Sequence, residues 1–416
     1  MQRPIGIDLF AGAGGMTLGF EQAGFDIPVS VELDPIHCAT HKFNFPFWSI
    51  LCRNIVDITG DEIRQLSDIQ NREIDVVFGG PPCQGFSMIG KRTLDDPRNA
   101  LISHFFRLVL ELKPKYFVME NVQGLTVGKY QIFLQEVLDK LSKNGYQVQQ
   151  PYQILNAAHY GVPQNRERLF ILGCQNGLIL PNYPHIQTDK KLENYITVWD
   201  AIGDLPEVEK YVELLEKDWV TAEKDYGKPS KYARKLRSLK RLNNDYSYKR
   251  EYDRTILTSS LRTRHTPKSI ARFSATAPGK IEPVSRFYRL NPNGICNTLR
   301  AGTPSSRGAY TSPRPIHPFT PRCITVREAA RLHSYPDWFR FHVTKWHGFR
   351  QVGNSVPPLL AKAVAQEIIH ALNIQPLKPR RKKYKLEKSE NLALNMSIAT
   401  DLYGVDRHTI APRMRK

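Results

Sequence analysis

The sequence contains no run of about 20 consecutive apolar residues, the length that a membrane-spanning helix requires. Its first ten residues, MQRPIGIDLF, also lack the apolar segment of a secretory signal peptide. These absences argue against a membrane protein or a membrane partner, and they predict a cytoplasmic location.

Paired cysteines are missing as well. The six cysteines are scattered and none belongs to a C-x-x-C pair: Cys38, Cys52, Cys83, Cys174, Cys296 and Cys323. This spacing indicates neither a disulfide framework nor a zinc site, so we predict no bound metal.

Negative charge is scarce. The 416 residues include 59 Lys and Arg against 40 Asp and Glu, which gives a formal net charge of +19. Such a balance favours a polyanionic partner, nucleic acid first, over a merely basic globular protein. The chain is long enough for two domains, and its 41% hydrophobic content allows a sizeable core.

The glycine-rich turn near the N-terminus lacks phosphate-binding residues. An apolar strand over 4–10 leads into the turn over 11–15 and then into a helical pattern that starts at Met16 and ends at Gly24. This order is typical of the first unit of a nucleotide-binding sheet. The turn has neither the spacing of the dinucleotide fingerprint nor the lysine of a P-loop, which favours a nucleoside without phosphates.

Two acidic residues extend this predicted pocket. Glu32 follows the strand predicted over 27–31, where a carboxylate can accept hydrogen bonds from both ribose hydroxyls; a solvated surface glutamate is the alternative. Asp57, within NIVDI at 54–58, can accept a hydrogen bond from an adenine amino group. With Gly12, these residues predict an adenosine pocket along successive strand ends.

A second candidate site follows the strand predicted over 74–78. The loop over 79–87 (GGPPCQGFS) carries Cys83 beyond the carboxyl end of that strand, where open α/β sheets bind ligands. By itself, Cys83 is either a buried structural cysteine or a nucleophile. Glu120 ends the strand predicted over 115–119 and is a general-acid candidate at the same edge.

Alternation puts Gln164, Arg166 and Arg168 on one face ahead of the strand predicted over 169–173. We interpret this trio as a substrate clamp; a salt-bridged edge strand is the alternative. Periodicity predicts further helices over 35–43, 100–112, 130–143, 326–335 and 359–372, the last being the final helix, and a strand over 147–155.

The segment from about 176 to 321 is rich in Pro, Tyr, Lys and Arg, which indicates a smaller, irregular domain. Within it, the stretch 231–250 interleaves cations with tyrosines, either for phosphate contacts or as a solvated face. The loop over 298–303 and the nearby Arg307 carry side chains able to read base edges. The basic block over 378–388 is predicted to be a disordered arm.

Five motifs in a fixed order resemble a known family. They are DLFAGAGGMTLGF (8–20), GGPPCQGFS (79–87), ENVQGL (120–125), QNRER (164–168) and QVGNSVPP (351–358). Together they closely resemble the DNA cytosine-5 methyltransferases, particularly bacterial enzymes of type II restriction–modification systems. The similarity extends over residues 1–175 and 320–372.

The resemblance implies base flipping and covalent catalysis with S-adenosylmethionine as methyl donor. Cys83 matches the nucleophile that attacks C6 of cytosine, and Glu120 matches the carboxyl at the N3 and amino edge. Arg168 matches the arginine at O2, with Arg166 and Gln164 as supporting neighbours. The cofactor pocket maps onto Phe10, Gly12, Gly14, Gly15, Glu32, Asp57, Ile58, Pro82, Leu101, Asn354, Ser355 and Val356. The predicted DNA contacts are Gln84, Ser87, Thr298, Arg300 and Arg307.

The predicted fold class is α/β, with a Rossmann-like S-adenosylmethionine-dependent methyltransferase sheet domain and a smaller, irregular target-recognition domain. We predict a catalytic and cofactor-binding domain over 1–180, completed by 345–374, a DNA-reading domain with hinge over 181–344, and a flexible basic tail over 375–416. By resemblance, the last helix packs against the first part of the sheet. Expected partners are double-stranded DNA and, functionally but not physically, a cognate restriction endonuclease; the family default is a monomer.

Three alternatives remain open. An RNA cytosine-5 methyltransferase would share the catalytic motifs, although the long basic variable region favours duplex DNA. A non-catalytic DNA-binding regulator would be expected to lose Cys83, Glu120 or the arginines, and all are present. An exocyclic-amine methyltransferase would need an aromatic residue where Pro-Pro-Cys stands. The segment 298–317 faintly resembles recognition regions for GC-rich palindromes with a CCGG core.

Overall fold

A computed structural model of the chain describes residues 3–82, 100–186, 195–240, 243–302, 315–380 and 383–406. Cys83, Gln84, Ser87 and Arg307 therefore lie outside the described residues. No helix within the described ranges is long and apolar enough to cross a membrane.

The centre of the molecule is an eight-stranded sheet in the order β3-β2-β1-β4-β5-β9-β6, with β7 also paired to β9. Strands β1 to β5 run parallel to one another, and β9 runs antiparallel to β5, β6 and β7. The sheet strands are β1 (Ile5–Leu9), β2 (Asp26–Glu32), β3 (Ser49–Cys52), β4 (Val76–Gly79), β5 (Tyr116–Asn121), β6 (Tyr146–Val148), β7 (Gln153–Asn156) and β9 (Glu167–Gln175).

Short strands form three further pairs, β13 with β8, β10 with β12, and β11 with β14. Their bounds are β8 (Gln164–Asn165), β10 (Val220–Thr221), β11 (Arg250–Glu251), β12 (Ile256–Leu257), β13 (Cys296–Asn297) and β14 (Tyr384–Lys385). The α-helices are α1 (Gly15–Ala23), α2 (Pro35–Asn44), α3 (Gly60–Gln65), α4 (Ala100–Leu112), α5 (Lys129–Lys143), α6 (Val198–Ile202), α7 (Lys231–Leu236), α8 (Pro267–Ala275), α9 (Val326–Leu332), α10 (Lys345–Asn354), α11 (Pro358–Ala371) and α12 (Met396–Tyr403).

The central strands are buried along their whole length. Every residue of β1, β4 and β5 is buried, as expected where helices cover both faces of a sheet. The predicted α/β fold class, with a central sheet and an irregular second part, is confirmed.

Helix α11 closes the sheet against the first helix of the chain. A Cβ atom on Gly19 of α1 would lie 2.4 Å from the Ala361 Cβ and 2.7 Å from the Pro358 carbonyl oxygen. Only glycine permits this close approach. The predicted return of the helix near the C-terminus to the start of the chain is therefore confirmed.

Several predicted elements differ in extent. The strand predicted over 147–155 is interrupted between β6 and β7, where Pro151 has no N–H to donate to a neighbouring strand. The helix predicted over 326–335 ends at Leu332, and α10 precedes α11 where no helix was predicted from the sequence. The helix predicted to be final is followed by α12.

The apolar core crosses the predicted domain boundaries. Its largest cluster joins Phe20 and Phe78 of the sheet region to Leu299, Tyr335 and Phe339. Two smaller clusters lie beside it in the irregular part of the chain. One contains Val208, Leu214, Ala222 and Leu257, and the other Phe273, Ile316 and Cys323. The boundaries after residues 180 and 344 remain predictions.

The prediction that residues 375–416 form a flexible tail is wrong for the described part over 383–406. Strand β14 pairs with β11, and the Val343 N–H donates to the Leu392 carbonyl at 2.9 Å. Leu392 and Ala399 are fully buried, and α12 packs against α2. The prediction of disorder rested on the basic block over 378–388. Two of the apolar residues that follow this block, Leu392 and Ala399, are buried against the rest of the protein.

We expect Leu392→Ala to lower the free energy of unfolding by about 2–5 kcal/mol, because it removes a fully buried side chain. The matched control is Leu402→Ala on α12, where the leucine is 58% exposed; its cost should stay below about 0.5 kcal/mol. Urea unfolding of both variants measures the difference. Equal, small effects would mean that the tail is not docked.

Candidate active site

The carboxylate of Glu32 is held at the carboxyl end of β2 by three backbone N–H groups. Its Oε1 accepts from Leu33 at 2.9 Å and Asp34 at 2.8 Å, and its Oε2 accepts from Gly12 at 2.7 Å. A carboxylate offers about four acceptor positions, so about one remains for a ligand. That geometry suits one hydroxyl, whereas two were expected from the sequence.

The turn after β1 needs unusual backbone conformations. Phe10, Gly12 and Gly14 have φ angles of 62°, 54° and 102°. A Cβ atom on Gly12 would meet nothing within 4 Å, so the backbone there borders open space. A Cβ atom on Gly15 would lie 2.5 Å from the Val356 carbonyl oxygen, which brings the segment 354–356 against the turn.

The other predicted cofactor residues differ in burial. Ile58 and Val356 are buried, Leu101 and Ser355 are half-buried, and Asp57, Pro82 and Asn354 are exposed. The arrangement of open backbone at Gly12 beside a fixed carboxylate fits a nucleoside with a ribose hydroxyl directed at Glu32.

Glu120 and Arg168 form an ion pair at the adjacent strand ends. The Arg168 Nε lies 3.0 Å from the Glu120 Oε1, and both side chains are largely buried. Burial raises the pKa of the Glu120 carboxyl, while the charges of Arg168 and Arg166 oppose that rise. A carboxyl whose pKa is raised in this way is a candidate to hold or give a proton.

The segment 79–82 is fitted closely to its neighbours. A Cβ atom on Gly79 would lie 2.1 Å from the Leu9 carbonyl oxygen, and one on Gly80 would lie 2.8 Å from the Glu120 Oε2. The Asn121 Nδ2 donates to the Pro81 carbonyl at 3.2 Å. Asn121 therefore fixes the backbone two residues before Cys83. It was not singled out from the sequence, although its position beside Glu120 was a signal.

Gln164 and Arg166 are buried and bind the protein's own backbone. Arg166 donates to the carbonyls of Leu299 at 3.0 Å, Gly353 at 2.9 Å and Ser355 at 3.0 Å. Gln164 accepts from the Leu299 N–H at 3.0 Å and donates to the Leu332 carbonyl at 3.2 Å. Of the predicted clamp, Arg168 alone reaches Glu120, so the interpretation of all three residues as substrate contacts needs correction.

His333 belongs to the same network. Its Nδ1 lies 2.9 Å from the Gln164 Nε2, and its Nε2 lies 3.0 Å from the Ser355 carbonyl oxygen. Because a carbonyl accepts only, Nε2 must carry the proton and Nδ1 must accept from Gln164. Burial lowers the pKa of His333, which keeps the ring neutral. Lying 169 residues from Gln164, His333 was marked by no signal in the sequence.

This network sets the strand that leads to the predicted DNA contacts. Strand β13 pairs with β8, and the Thr298 hydroxyl donates to the Asn165 carbonyl at 2.6 Å. The backbone of Arg300 lies against Gly353, where a Cβ atom would be 2.4 Å from the Arg300 carbonyl carbon. Arg300 is exposed, so its side chain is available to a partner.

The stretch 231–250, predicted to contact phosphates, is partly internal. Arg250 is buried and forms an ion pair with Glu21 of α1, and Arg237 pairs with Asp204 at 3.2 Å. Arg250 therefore joins the irregular region to α1, whereas the Arg237 pair lies within that region. The exposed cations of the stretch, Lys231, Arg234, Lys235, Lys240 and Lys249, remain open to a polyanion.

Comparison with known proteins identifies the family. The sequence profile of the C-5 cytosine-specific DNA methylases matches residues 5–370. The chain belongs to this family. The prediction of a DNA cytosine-5 methyltransferase is thereby confirmed.

Two relatives carry the name of type II methyltransferases. This methylase is 58% identical over 415 residues to Type II methyltransferase M.XorII of Xanthomonas oryzae pv. oryzae, covering 100% of this chain and 96% of the relative. It is 35% identical to Type II methyltransferase M1.HphI of Haemophilus parahaemolyticus, covering 87% and 86% of the two chains.

Solved structures share the fold of this methylase. A DNA modification methyltransferase encoded within an Escherichia coli prophage is 34% identical, with a TM-score of 0.73, covering 89% of this chain and all of that one. Dnmt2 of S. pombe covers the same share, is 18% identical and has a TM-score of 0.53, which shows the fold alone.

One further acidic residue of the methylase lies buried beneath the predicted cofactor turn. The Asp8 Oδ2 accepts from the Thr17 hydroxyl at 2.6 Å, and that hydroxyl lies 3.1 Å from the His41 Nε2. Burial raises the pKa of Asp8 to about 8, although the Thr17 hydrogen bonds oppose the rise.

We expect this acid to make stability depend on pH. The folded chain holds the Asp8 proton up to about pH 8, whereas the unfolded chain releases it near its ordinary pKa of 3.8. Stability therefore falls as pH rises between these values, by up to about 1.4 kcal/mol per pH unit. Asp8→Asn should flatten that fall in urea unfolding from pH 5 to 8, while the exposed Asp61→Asn should not. An unchanged slope in Asp8→Asn would contradict the assignment.

Proposed function

We propose that this methylase transfers the methyl group of S-adenosylmethionine to C5 of a cytosine in a short duplex DNA sequence, with Cys83 as covalent nucleophile. The observation that carries the proposal is the buried Glu120–Arg168 pair beside Gly80, at the same sheet edge as the Glu32 carboxylate. Two neighbouring sites, one for a base and one for a nucleoside, are what a methyl transfer to a base requires.

The cofactor site fits S-adenosylmethionine. Gly12 leaves space at the turn, Glu32 offers an acceptor for a ribose hydroxyl, and the predicted partners Asp57 and Ile58 follow β3. Phe10, Pro82, Leu101 and the segment 354–356 complete the proposed pocket. When bound, S-adenosylmethionine supplies an electrophilic methyl group.

Cytosine C5 is a weak nucleophile, and the protein's own residues change that. The Cys83 thiolate forms a bond to C6 while Glu120 supplies a proton at N3, which leaves an enamine with electron density on C5. Arg168 holds the Glu120 carboxyl and binds O2. After methylation, loss of the C5 proton to a base and cleavage of the Cys83–C6 bond release the product.

The family and the long basic variable region both favour DNA over RNA as the substrate. In a duplex, C6 is shielded by stacking, so the target cytosine must be rotated out of the helix. The exposed Arg300 and the predicted contacts Thr298, Arg307, Gln84 and Ser87 would read the flanking bases. By analogy with relatives named type II methyltransferases, we propose that the enzyme protects host DNA from a cognate endonuclease. We also propose that it acts as a monomer, the default that the family resemblance implies.

Base-resolution methylation sequencing of a plasmid from expressing cells tests the proposal. We expect C5 methyl marks at one recurrent short motif, and their loss with Cys83→Ala, which removes the nucleophile. Purified Cys83→Ala should still bind duplex DNA. Glu120→Gln should lower kcat by about 100- to 10,000-fold, the range for a general acid. DNA free of marks, or full turnover by Cys83→Ala, would contradict the mechanism.

Substitutions at two arginines should distinguish a residue that reads the DNA sequence from one that positions the protein backbone. Arg300→Ala should weaken discrimination between the target and altered sequences by about 1–3 kcal/mol and leave cofactor affinity unchanged, because its side chain is exposed. Arg166→Lys, by contrast, should also weaken cofactor binding, since Arg166 holds the Gly353 and Ser355 carbonyls. Calorimetric titration of cofactor and DNA measures both. A cofactor defect in Arg300→Ala would place that residue in the pocket instead.

A further inference from the structure

Two basic segments far apart in the sequence meet on one surface. Residues 231–251 and 376–388 together carry 15 Lys and Arg against three Asp and Glu. Strand β14 of the second segment pairs with β11 of the first, and the Tyr384 N–H donates to the Lys249 carbonyl at 2.9 Å. The described part of the second segment is therefore held at a fixed position by backbone pairing.

Aromatic and charged contacts anchor this arrangement. The Tyr384 ring lies 4.2 Å from the Phe47 ring, measured between centroids, and the Lys378 amine lies 4.4 Å from the centre of the Tyr246 ring. Beside these anchors, Lys235, Lys249, Arg380, Lys383 and Lys385 are exposed. We call these five cations and Lys378 the tail surface.

The positive charges of the tail surface are incompletely balanced by acids. Burial lowers the pKa of the nearby Lys362 amine, and the charges of Lys235 and Lys378 lower it further, against the opposing charge of Asp245. The Lys235 and Lys378 amines are thus each close enough to repel the Lys362 amine. The Asp245 carboxylate itself accepts from the Ser247 N–H and hydroxyl. A polyanion would relieve this repulsion.

The tail surface lies at the opposite end of the sheet from the candidate active site. Arg3 binds Asp26, the first residue of β2, and also the Tyr246 carbonyl, and Pro376 contacts Gly24 just before β2. Glu32, by contrast, is the last residue of that strand. The length of this strand separates the two ends by about 20 Å.

We propose that the tail surface binds the phosphate backbone of duplex DNA outside the segment that enters the active site. Its cations project from segments joined by backbone pairing, which suits the regular charge of a duplex. The length of the sheet separates it from the catalytic edge by about 20 Å, a distance comparable to the width of a DNA duplex. A short target duplex then contacts the active site without reaching the tail surface, whereas a long DNA reaches both sites. This inference rests on the proposed function.

The test compares two triple variants of the full-length protein that lose equal charge. Arg380→Gln, Lys383→Gln and Lys385→Gln together alter the tail surface. Lys113→Gln, Lys140→Gln and Lys143→Gln together form the control, because these exposed residues lie near β6 at the other end of the strand order. Binding to a duplex of about 60 base pairs without the target motif is measured at several salt concentrations, and methylation of a target duplex of about 14 base pairs is measured in parallel.

We expect the tail-surface variant to have a shallower salt dependence, by about 0.9 in logarithmic slope for each phosphate that it no longer neutralises. If the variant neutralises two or three fewer phosphates, wild-type affinity falls about 10- to 40-fold more than variant affinity between 50 and 200 mM salt. The control should keep the wild-type slope, and both variants should methylate the short duplex at the wild-type rate.

Three results would overturn the inference. They are equal salt slopes for the two triple variants, a matching fall in methylation of the short duplex, and tighter binding of single-stranded RNA than of duplex DNA to the same surface. A wild-type protein that fails to methylate the short target duplex would refute the proposed function alone, since the comparison of salt slopes uses DNA without a target.

Discussion

The buried guanidinium of Arg166 donates to the carbonyls of Leu299, Gly353 and Ser355, which belong to segments far apart in the sequence. Leaving such a charge in a core without these acceptors would be very costly, so the segments are held to one arrangement. Gln164 also binds the Leu299 N–H and His333 binds the Ser355 carbonyl, so both hold the same segments. The cofactor turn, the Glu120–Arg168 pair and the strand leading to Arg300 all depend on that arrangement.

The same constraint separates two kinds of residue within one motif. In QNRER, Arg166 faces inward to the backbone network and Arg168 reaches Glu120, although both are arginines two positions apart. The carboxyl of Glu120 is desolvated, yet it is bordered by Gly80 and by a cation. A substrate base would therefore meet the Glu120–Arg168 pair, whereas Arg166 is directed to the protein's own backbone carbonyls.

The parallel strands, most helices and the family could be predicted from the sequence, because apolar runs and motif spacing are local signals. The positions of Glu32 and Glu120 at strand ends, and of the glycine turn after the first strand, followed from the same signals. The sequence did not predict that Glu32 is mostly occupied by backbone N–H groups, that Asn121 fixes Pro81, or that His333 contacts Gln164. The Gly12–Glu32, Asn121–Pro81 and His333–Gln164 contacts join residues far apart in the sequence, where periodicity gives no information. The docked tail was not predicted because the prediction rested on the positive charge of the segment and not on its apolar residues, of which Leu392 is buried.

The contact of Gly19 with Ala361 also bears on how the chain is made. Helix α1 leaves the ribosome about 340 residues before its partner α11, which is about 20–70 s at common rates of synthesis. During that interval the nascent sheet has an uncovered apolar face. Completion of this core is thus a late event of translation, and a chain cut short before α11 would expose that face to chaperones and proteases.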